Sequence, residues 1–428
     1  MTYPTRLSAI LLGVAVCLGA QVAITPAKAA ESGEEAQREP EYSKAFRKQA
    51  GKIQKSVQDQ DWEQALEGID KLMQEEGLTP DDLQVLYSWR LAGLQATGQR
   101  EAFMAAIESY LDGGHARPDQ IGPMNQQLAA WYNSQKDMEK TLLHYRRFVD
   151  ATEDLTAQEM DTMGRLYLQA GDEPQGVEWL QRAIDTAKAA GEKPAEVWFQ
   201  LLDRSFVDME DGTRRLANLE RLVAYYPKPE YYSRVLALYS QATDDDRLVM
   251  LNAYRLALED AGLETVGQYL NYADHALVLG SPGEAARALQ HGMDAGIVPS
   301  EGSNQQTLKD AQTAAATDRK NLPKDAETAA KNAKGEIAVK VGLGFYSVGD
   351  WERAVELVRL GLEKGGVQRL DDANLLLGAA LVQLGRYDEA RDAFAAAAAA
   401  SGSSAYMARV AGLWAAYVDR KAGGTAEG

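Results

Sequence analysis

The side chains that most often carry catalysis or bind metals are scattered along this sequence. The four histidines are His115, His144, His275 and His291. None belongs to a His-x-x-x-His pattern or another spacing typical of zinc sites. Gly342-Leu343-Gly344 begins like a dinucleotide-binding fingerprint, but the third glycine and a preceding strand are missing. With no Gly-x-Ser-x-Gly elbow, phosphate loop or Cys-His pair, we predict no catalytic residue, cofactor or metal ion.

A recurring phrase shows which elements must position any other functional side chain. It occurs as Gln60-Asp61-Trp62-Glu63-Gln64-Ala65, Gly349-Asp350-Trp351-Glu352-Arg353-Ala354 and Gly385-Arg386-Tyr387-Asp388-Glu389-Ala390. In each, a Gly or polar residue ends one helix and a polar residue can cap the next. The aromatic residue then fits the elbow, and Ala lies at the helix crossing. The phrase predicts repeated pairs of antiparallel helices.

The stretch from Asp371 to Ser404 gives the pair in full. Small residues, Gly378 and Ala390, fall where two helix backbones must nearly touch. This stretch resembles the tetratricopeptide repeat, a 34-residue helix pair. The resemblance implies an all-α, right-handed superhelical solenoid of antiparallel helix pairs with a C-terminal capping helix. It also implies a non-catalytic protein that binds proteins or peptides.

The domain organisation follows from where the sequence matches the repeat pattern well and where it matches it poorly. The predicted segments are a signal peptide (1–29), a flexible acidic lead-in (30–41), a degenerate array (42–300), a polar helical insert or degenerate repeat (301–334), two well-formed repeats (335–404), a capping helix (405–420) and a tail (421–428). In segment 301–334 we expect thin packing, with Pro323 at a helix break or in a first turn. Arg409, Arg420 and Lys421 suit the outer face and end of the capping helix.

The first helix of each pair is expected to line the concave side of such an array. The residues predicted to contact a partner there are Gln126, Asn133, Asp161, Arg165, Gln200, Arg204, Ser233, Leu277 and Tyr346. Arg165 and Arg204 occupy equivalent places in successive units, so together they could hold a carboxylate. The alternative is that Arg165 pairs with Asp161 on its own helix, and Arg204 with Glu196 or Gln200.

Composition limits the class of partner. The 428-residue chain has a net charge of −18, which disfavours nucleic acid and anionic lipid and favours a basic partner. Arg6, the apolar run 7–16 and Ala27-Lys28-Ala29 indicate a signal peptide cleaved after Ala29. Cys17, the only cysteine, lies inside it. Val16 is too bulky for a lipobox, so a lipid anchor is the less favoured alternative, and no membrane span is predicted.

The exported, cysteine-free chain is similar in general texture to periplasmic repeat proteins of Gram-negative bacteria, some of which accompany TonB-type uptake systems. That resemblance implies a periplasmic scaffold whose partner is a basic or extended segment of an envelope protein, with a TonB-type component as one candidate. The alternative is an outer-membrane or polysaccharide-export assembly factor that acts through its convex face or the 301–334 segment. The residues alone leave the partner and the oligomeric state open.

Overall fold

The structure, a computed structural model, describes residues 39–424 of the chain. The predicted signal peptide, Cys17 and most of the lead-in lie outside the described residues. Within residues 39–424 every regular element is an α-helix, so the predicted all-α fold class is confirmed. No helix in this range is long and apolar enough to cross a bilayer.

The chain divides into two compact units between Trp179 and Leu180. The first unit contains α1 (Lys44–Gln58), α2 (Trp62–Leu72), α3 (Pro80–Ala96), α4 (Arg100–Asp112), α5 (Pro118–Ser134), α6 (Met138–Asp150) and α7 (Ala157–Gln169). The division falls inside α8 (Glu173–Ala189). The second unit contains α9 (Glu196–Asp208), α10 (Gly212–Tyr225), α11 (Pro229–Thr243), α12 (Arg247–Asp260), α13 (Val266–Val278), α14 (Pro282–Asp294), α15 (Gly302–Lys331), α16 (Gly335–Ser347), α17 (Trp351–Lys364), α18 (Leu370–Gln383), α19 (Tyr387–Ala398) and α20 (Ala405–Gly424).

The recurring phrase forms the turn between paired helices, as predicted. Gln60, Gly349 and Gly385 each have a positive φ, which ends the first helix of the pair. Asp61 and Asp350 then accept a hydrogen bond from the backbone N–H three residues on and cap the second helix. Short turns of this kind place consecutive helices antiparallel.

Small residues allow the paired helices to approach closely. A Cβ atom at Gly378 would lie 2.3 Å from the Phe394 ring, and one at Gly342 would lie 2.6 Å from a Val358 methyl group. Ala390 is fully buried at the α18–α19 crossing. Gly342 is therefore a packing residue, and its role in helix contact accounts for the incomplete dinucleotide fingerprint.

Helix α15 corrects one prediction about segment 301–334. It runs without interruption for 30 residues, with Pro323 inside it rather than at a break or in a first turn. Only Leu308, Ala311, Leu322, Ala326 and Ala329 are buried, so the expected thin packing is confirmed. Helix α15 does not belong to a pair. Even-numbered helices are therefore the second members of pairs before it (α10, α12 and α14) and the first members of pairs after it (α16 and α18).

The even-numbered helices of the second unit pack against one another as a result. Helix α14 packs against α16, α16 against α18, and α12 against both α18 and α20. Helix α20 also packs against α10, α18 and α19. These contacts form an inner layer in which Val410, Trp414 and Tyr417 of α20 are almost completely buried.

The outer-face prediction for the last helix is therefore wrong for Arg409 and Arg420, whereas Lys421 is exposed in the last turn as predicted. Arg409 donates a 2.6 Å hydrogen bond to Glu220 on α10. Arg420 pairs with Asp260 on α12 and donates to the Ala224 carbonyl oxygen. Helix α20 lies between other helices and not at an open end of a stack, so its arginines anchor it there. It also continues to Gly424, so the first half of the predicted tail is helical.

Candidate functional site

The predicted binding residues of the first unit lie on α5 and α7. Gln126 and Asn133 are exposed on one face of α5, seven residues apart, with exposed Ala130 between them. On α7, Asp161 is buried and its carboxylate accepts a 2.7 Å hydrogen bond from Arg165 Nε. The predicted pairing of Arg165 with Asp161 is confirmed.

Four predicted residues of the second unit lie on the first helices α9, α11 and α13: Gln200, Arg204, Ser233 and Leu277. Gln200 on α9 donates a 2.7 Å hydrogen bond to the Tyr231 hydroxyl on α11. Ser233 on α11 accepts a 2.8 Å hydrogen bond from Gln268 on α13. These bonds link α9 to α11 and α11 to α13. We call the exposed side chains of these three helices the first-helix face.

Ion pairs hold the α9–α11 part of this face together. Lys228 lies 2.6 Å from Glu196, and the Tyr231 hydroxyl also donates to this carboxylate. The hydrogen bonds from Lys228 and Tyr231 lower the pKa of Glu196. Buried Asp203 accepts hydrogen bonds of 2.8 Å from both Arg215 and Arg234. The Glu196 and Asp203 carboxylates of α9 thus already have partners, and they fix the position of α11.

Arg204 is different, because it projects into solvent. Its side chain is 83% exposed, and its ion-pair contact is a 3.8 Å approach to Asp208. The predicted pairing with Glu196 or Gln200 is wrong, since Glu196 binds Lys228 and Gln200 binds Tyr231. The prediction that Arg165 and Arg204 share one carboxylate stays a prediction, as the two residues lie in different units.

Exposed apolar side chains also concentrate on this face. Seven large hydrophobic residues are exposed among the described residues, and five of them lie on α9 and α13. These five are Val197, Val207, Val266, Leu277 and Val278. Sequence reasoning identified Leu277 but missed the four valines. Helical spacing could have found two of them, because Val197, Gln200, Arg204 and Val207 form one stripe along α9.

Tyr346 is not part of an exposed surface, which contradicts its prediction as a binding residue. Its side chain is 6% exposed and lies in the inner layer, with the Arg255 guanidinium 5.0 Å from the ring centroid and Trp351 against its edge. Burial raises the pKa of Tyr346 to about 12. Tyr346 lies on α16, the first helix of its pair. Because α15 is unpaired, the first helices after it join the inner layer, and the repeat pattern does not reveal this change.

The histidines form no common site in the described part of the chain. His144 binds Asn125, His275 contacts Arg247, and His291 binds Tyr269. No group of three or more His, Cys, Asp or Glu residues between 39 and 424 is arranged to hold a metal ion. A shallow cavity of about 290 Å³ lies between α15 and α16, away from the first-helix face, and Asp318, Asp325 and Lys340 contribute to its lining.

Comparison with known proteins gives remote structural likeness only. No family model and no curated protein matches the chain. A tetratricopeptide repeat protein from Parabacteroides merdae is 12% identical with a TM-score of 0.27, covering 79% of this chain and all of that one. The TPR2AB-domain:pHSP90 complex of yeast Sti1 is 8% identical with a TM-score of 0.23, covering 70% of this chain and 99% of that one.

A third structure, Naa15/Naa10 bound to HypK-THB, is 13% identical with a TM-score of 0.33, covering 85% of this chain and 64% of that one. Such scores transfer neither function nor partner. The assignment of helix pairs therefore rests on the turns and close packing of this chain itself.

Proposed function

We propose that the protein is a non-catalytic interaction scaffold that binds an extended polypeptide segment on the first-helix face. The concentration of exposed apolar residues on α9 and α13 carries this proposal. Exposed hydrophobic patches on a protein surface mark interaction sites. The flanking polar groups, Gln200 and Arg204, can hydrogen-bond a peptide backbone or a carboxylate.

The layering of the second unit supports the choice of this face. Helices α10, α12 and α14 direct their other side into the inner layer, where α16, α18 and α20 cover them. The first-helix face is left uncovered by the same arrangement. Its backbone positions are fixed by the Gln200–Tyr231 and Ser233–Gln268 hydrogen bonds, so a partner would meet a preformed surface.

The proposal is tested by introducing charge at the apolar positions. The double variant Val207→Asp/Leu277→Asp should lose partner capture, because it buries two carboxylates under the bound segment. Leu370→Asp on α18 is a matched control, since Leu370 is 39% exposed and lies outside this face. A photo-crosslinking residue at Gln200 should capture the partner, whereas one at exposed Gln290 on α14 should not. Capture that survives the double variant would refute the proposal.

We also propose that the scaffold is periplasmic and serves an envelope protein, with a TonB-type uptake component as its candidate partner. Support comes from the leader-like residues 1–29 and from the net charge of −18, which complements a basic, extended segment. Cell fractionation and mass measurement of the mature chain test the location. Finding the uncleaved chain in the cytoplasm would contradict it. Reversal of the exposed Arg204 to Glu should weaken capture while helicity is retained.

The alternative role, an assembly factor acting through the convex face or segment 301–334, has one observation in its favour. Helix α15 exposes most of its 30 residues to solvent, including Lys309 and Lys320. A photo-crosslinking residue at Lys309 distinguishes the two roles. Capture at Lys309 with none at Gln200 would favour the assembly factor.

A further inference from the structure

Helix α1 has the opposite charge from the chain as a whole. It contains five basic residues, Lys44, Arg47, Lys48, Lys52 and Lys55, and no acidic residue. All five are exposed. The opposite side of the helix buries Phe46, Ile53 and Ser56 against the neighbouring helices α2 and α3. The packing of α1 therefore directs these charges to solvent as one group, which we call the basic stripe.

The basic stripe is not neutralised by carboxylates of the described chain. None of its five side chains belongs to an ion pair within residues 39–424. Glu67 on α2 is near enough to interact with Lys52, but its pKa is lowered chiefly by its hydrogen bond to Lys71. At the helix start, Asp82 is buried and accepts a hydrogen bond from the Ser43 backbone N–H. Glu67 and Asp82 thus have other partners.

We propose that the basic stripe binds the anionic surface of a lipid bilayer. At a rise of about 1.5 Å per residue, the charges from Lys44 to Lys55 extend over about 16 Å along the helix. Four of the five are lysines, whose ammonium groups act as point charges rather than bidentate forks. Mobile lipid phosphates can align with such a row without a fixed geometry. The remaining exposed positions, Gly51 and Gln58, offer no aromatic ring on which nucleic acid bases could stack.

The net charge of −18 does not prevent this association. At physiological ionic strength the Debye length is about 8 Å, so charges farther than this from the bilayer are largely screened. Binding depends on the charge of the protein surface that is in contact with the bilayer. The expectation of repulsion from anionic lipid, drawn from the whole-chain charge, therefore does not apply to α1. The inference is independent of the first-helix face, since the two surfaces lie in different units.

The experiment is co-sedimentation of the full chain with phosphatidylglycerol–phosphatidylcholine vesicles, compared with pure phosphatidylcholine vesicles. The chain should bind the anionic vesicles at physiological ionic strength, where the acidic remainder of the chain is screened, and be released by high salt. Lys48→Glu/Lys52→Glu should lower the partition coefficient by about 30-fold or more, because each basic residue near an anionic surface contributes roughly fivefold. Circular dichroism should show unchanged helicity, as both positions are exposed.

The matched control is Lys309→Glu/Lys320→Glu on α15, which changes the net charge equally at two other exposed positions. It should bind anionic vesicles as the unaltered chain does. Equal loss in the two variants, equal binding to neutral vesicles, or no binding to anionic vesicles at physiological ionic strength overturns the proposal. Binding of poly-L-glutamate without binding of vesicles also overturns it, since the occupant would then be an acidic polypeptide.

Discussion

Replacing Glu284 by Gln tests how the inner layer of the second unit is held together. The Glu284 carboxylate accepts hydrogen bonds from Arg255 Nε at 2.6 Å and Arg255 Nη2 at 2.8 Å, and both side chains are 2% exposed. Tyr272 and Ser281 also donate to it, at 2.9 and 2.8 Å. Burial opposes the charge on Arg255, but the interactions with Glu284 outweigh it and raise the pKa of Arg255.

The expected cost of Glu284→Gln follows from that burial. The variant keeps the side-chain shape but removes the carboxylate that is hydrogen-bonded to the buried Arg255 guanidinium. Removing one partner of a buried ion pair lowers the free energy of unfolding by about 3–5 kcal/mol. With a urea slope of about 3 kcal/mol per molar, the midpoint of the transition should fall by roughly 1–1.7 M.

Glu389→Gln is the matched control for this measurement. Glu389 lies 2.6 Å from Arg386, the same separation as in the buried pair, but the two side chains are 43% and 40% exposed. Exposed pairs are screened by solvent and contribute little to stability, so this variant should unfold near the original midpoint. Urea titration followed by circular dichroism gives both values.

The double variant Arg255→Met/Glu284→Leu separates the charge effect from general loss of packing. It should be less destabilised than the sum of the two single variants, because no unpaired charge remains. Some cost persists, since Tyr272, Ser281 and Asn252 lose their hydrogen-bond partner. Equal midpoints for Glu284→Gln and Glu389→Gln would refute the reasoning that burial sets the magnitude.

Acidification and one glycine substitution provide two further tests. Burial lowers the pKa of His144 and of His275, so below about pH 6.5 the unfolded chain binds protons more readily than the folded chain. The free energy of unfolding should therefore fall between pH 7.5 and 5.5, and His144→Gln should reduce that slope in urea titrations; a slope unchanged by the substitution would contradict this. Gly378→Ala should destabilise by about 1–3 kcal/mol, because the new methyl group would overlap the Phe394 ring. Gly412→Ala in α20, where nothing lies within 4 Å, should instead stabilise by roughly 0.5–1 kcal/mol in thermal melts, and equal effects at the two glycines would contradict the packing argument.

Much of the local structure was predictable because its causes are local. The Gly-Asp-Trp and Gly-Arg-Tyr phrases place a left-handed residue and the start of the next helix in adjacent positions, and the turns occur there. Gly378 and Ala390 mark the helix crossing for the same reason, since only small side chains permit that approach. Arg165 and Asp161, four residues apart on one helix, also pair as predicted.

The candidate site was predictable only in part. Helical spacing identified Gln200, Ser233 and Leu277 as residues of one face. It did not show that Gln200 binds Tyr231, because that bond joins helices about thirty residues apart. It also placed Tyr346 on an accessible surface, whereas the packing of α12, α14 and α16 encloses it. Exposure of a residue depends on what covers its helix, and periodicity within one helix carries no such information.

The sequence by itself determined the helix pairs, their turns and the close crossings, because caps, glycines and apolar spacing act within a few tens of residues. It also determined the charge of α1, which any helical arrangement of these residues would display. Only the tertiary structure decided that α15 is a single helix, that the even-numbered helices meet in an inner layer, and that α20 is enclosed between α10, α12 and α18. Those outcomes depend on contacts such as Arg409–Glu220 and Arg420–Asp260, between residues far apart in the chain, and no local pattern specifies which distant partners will meet.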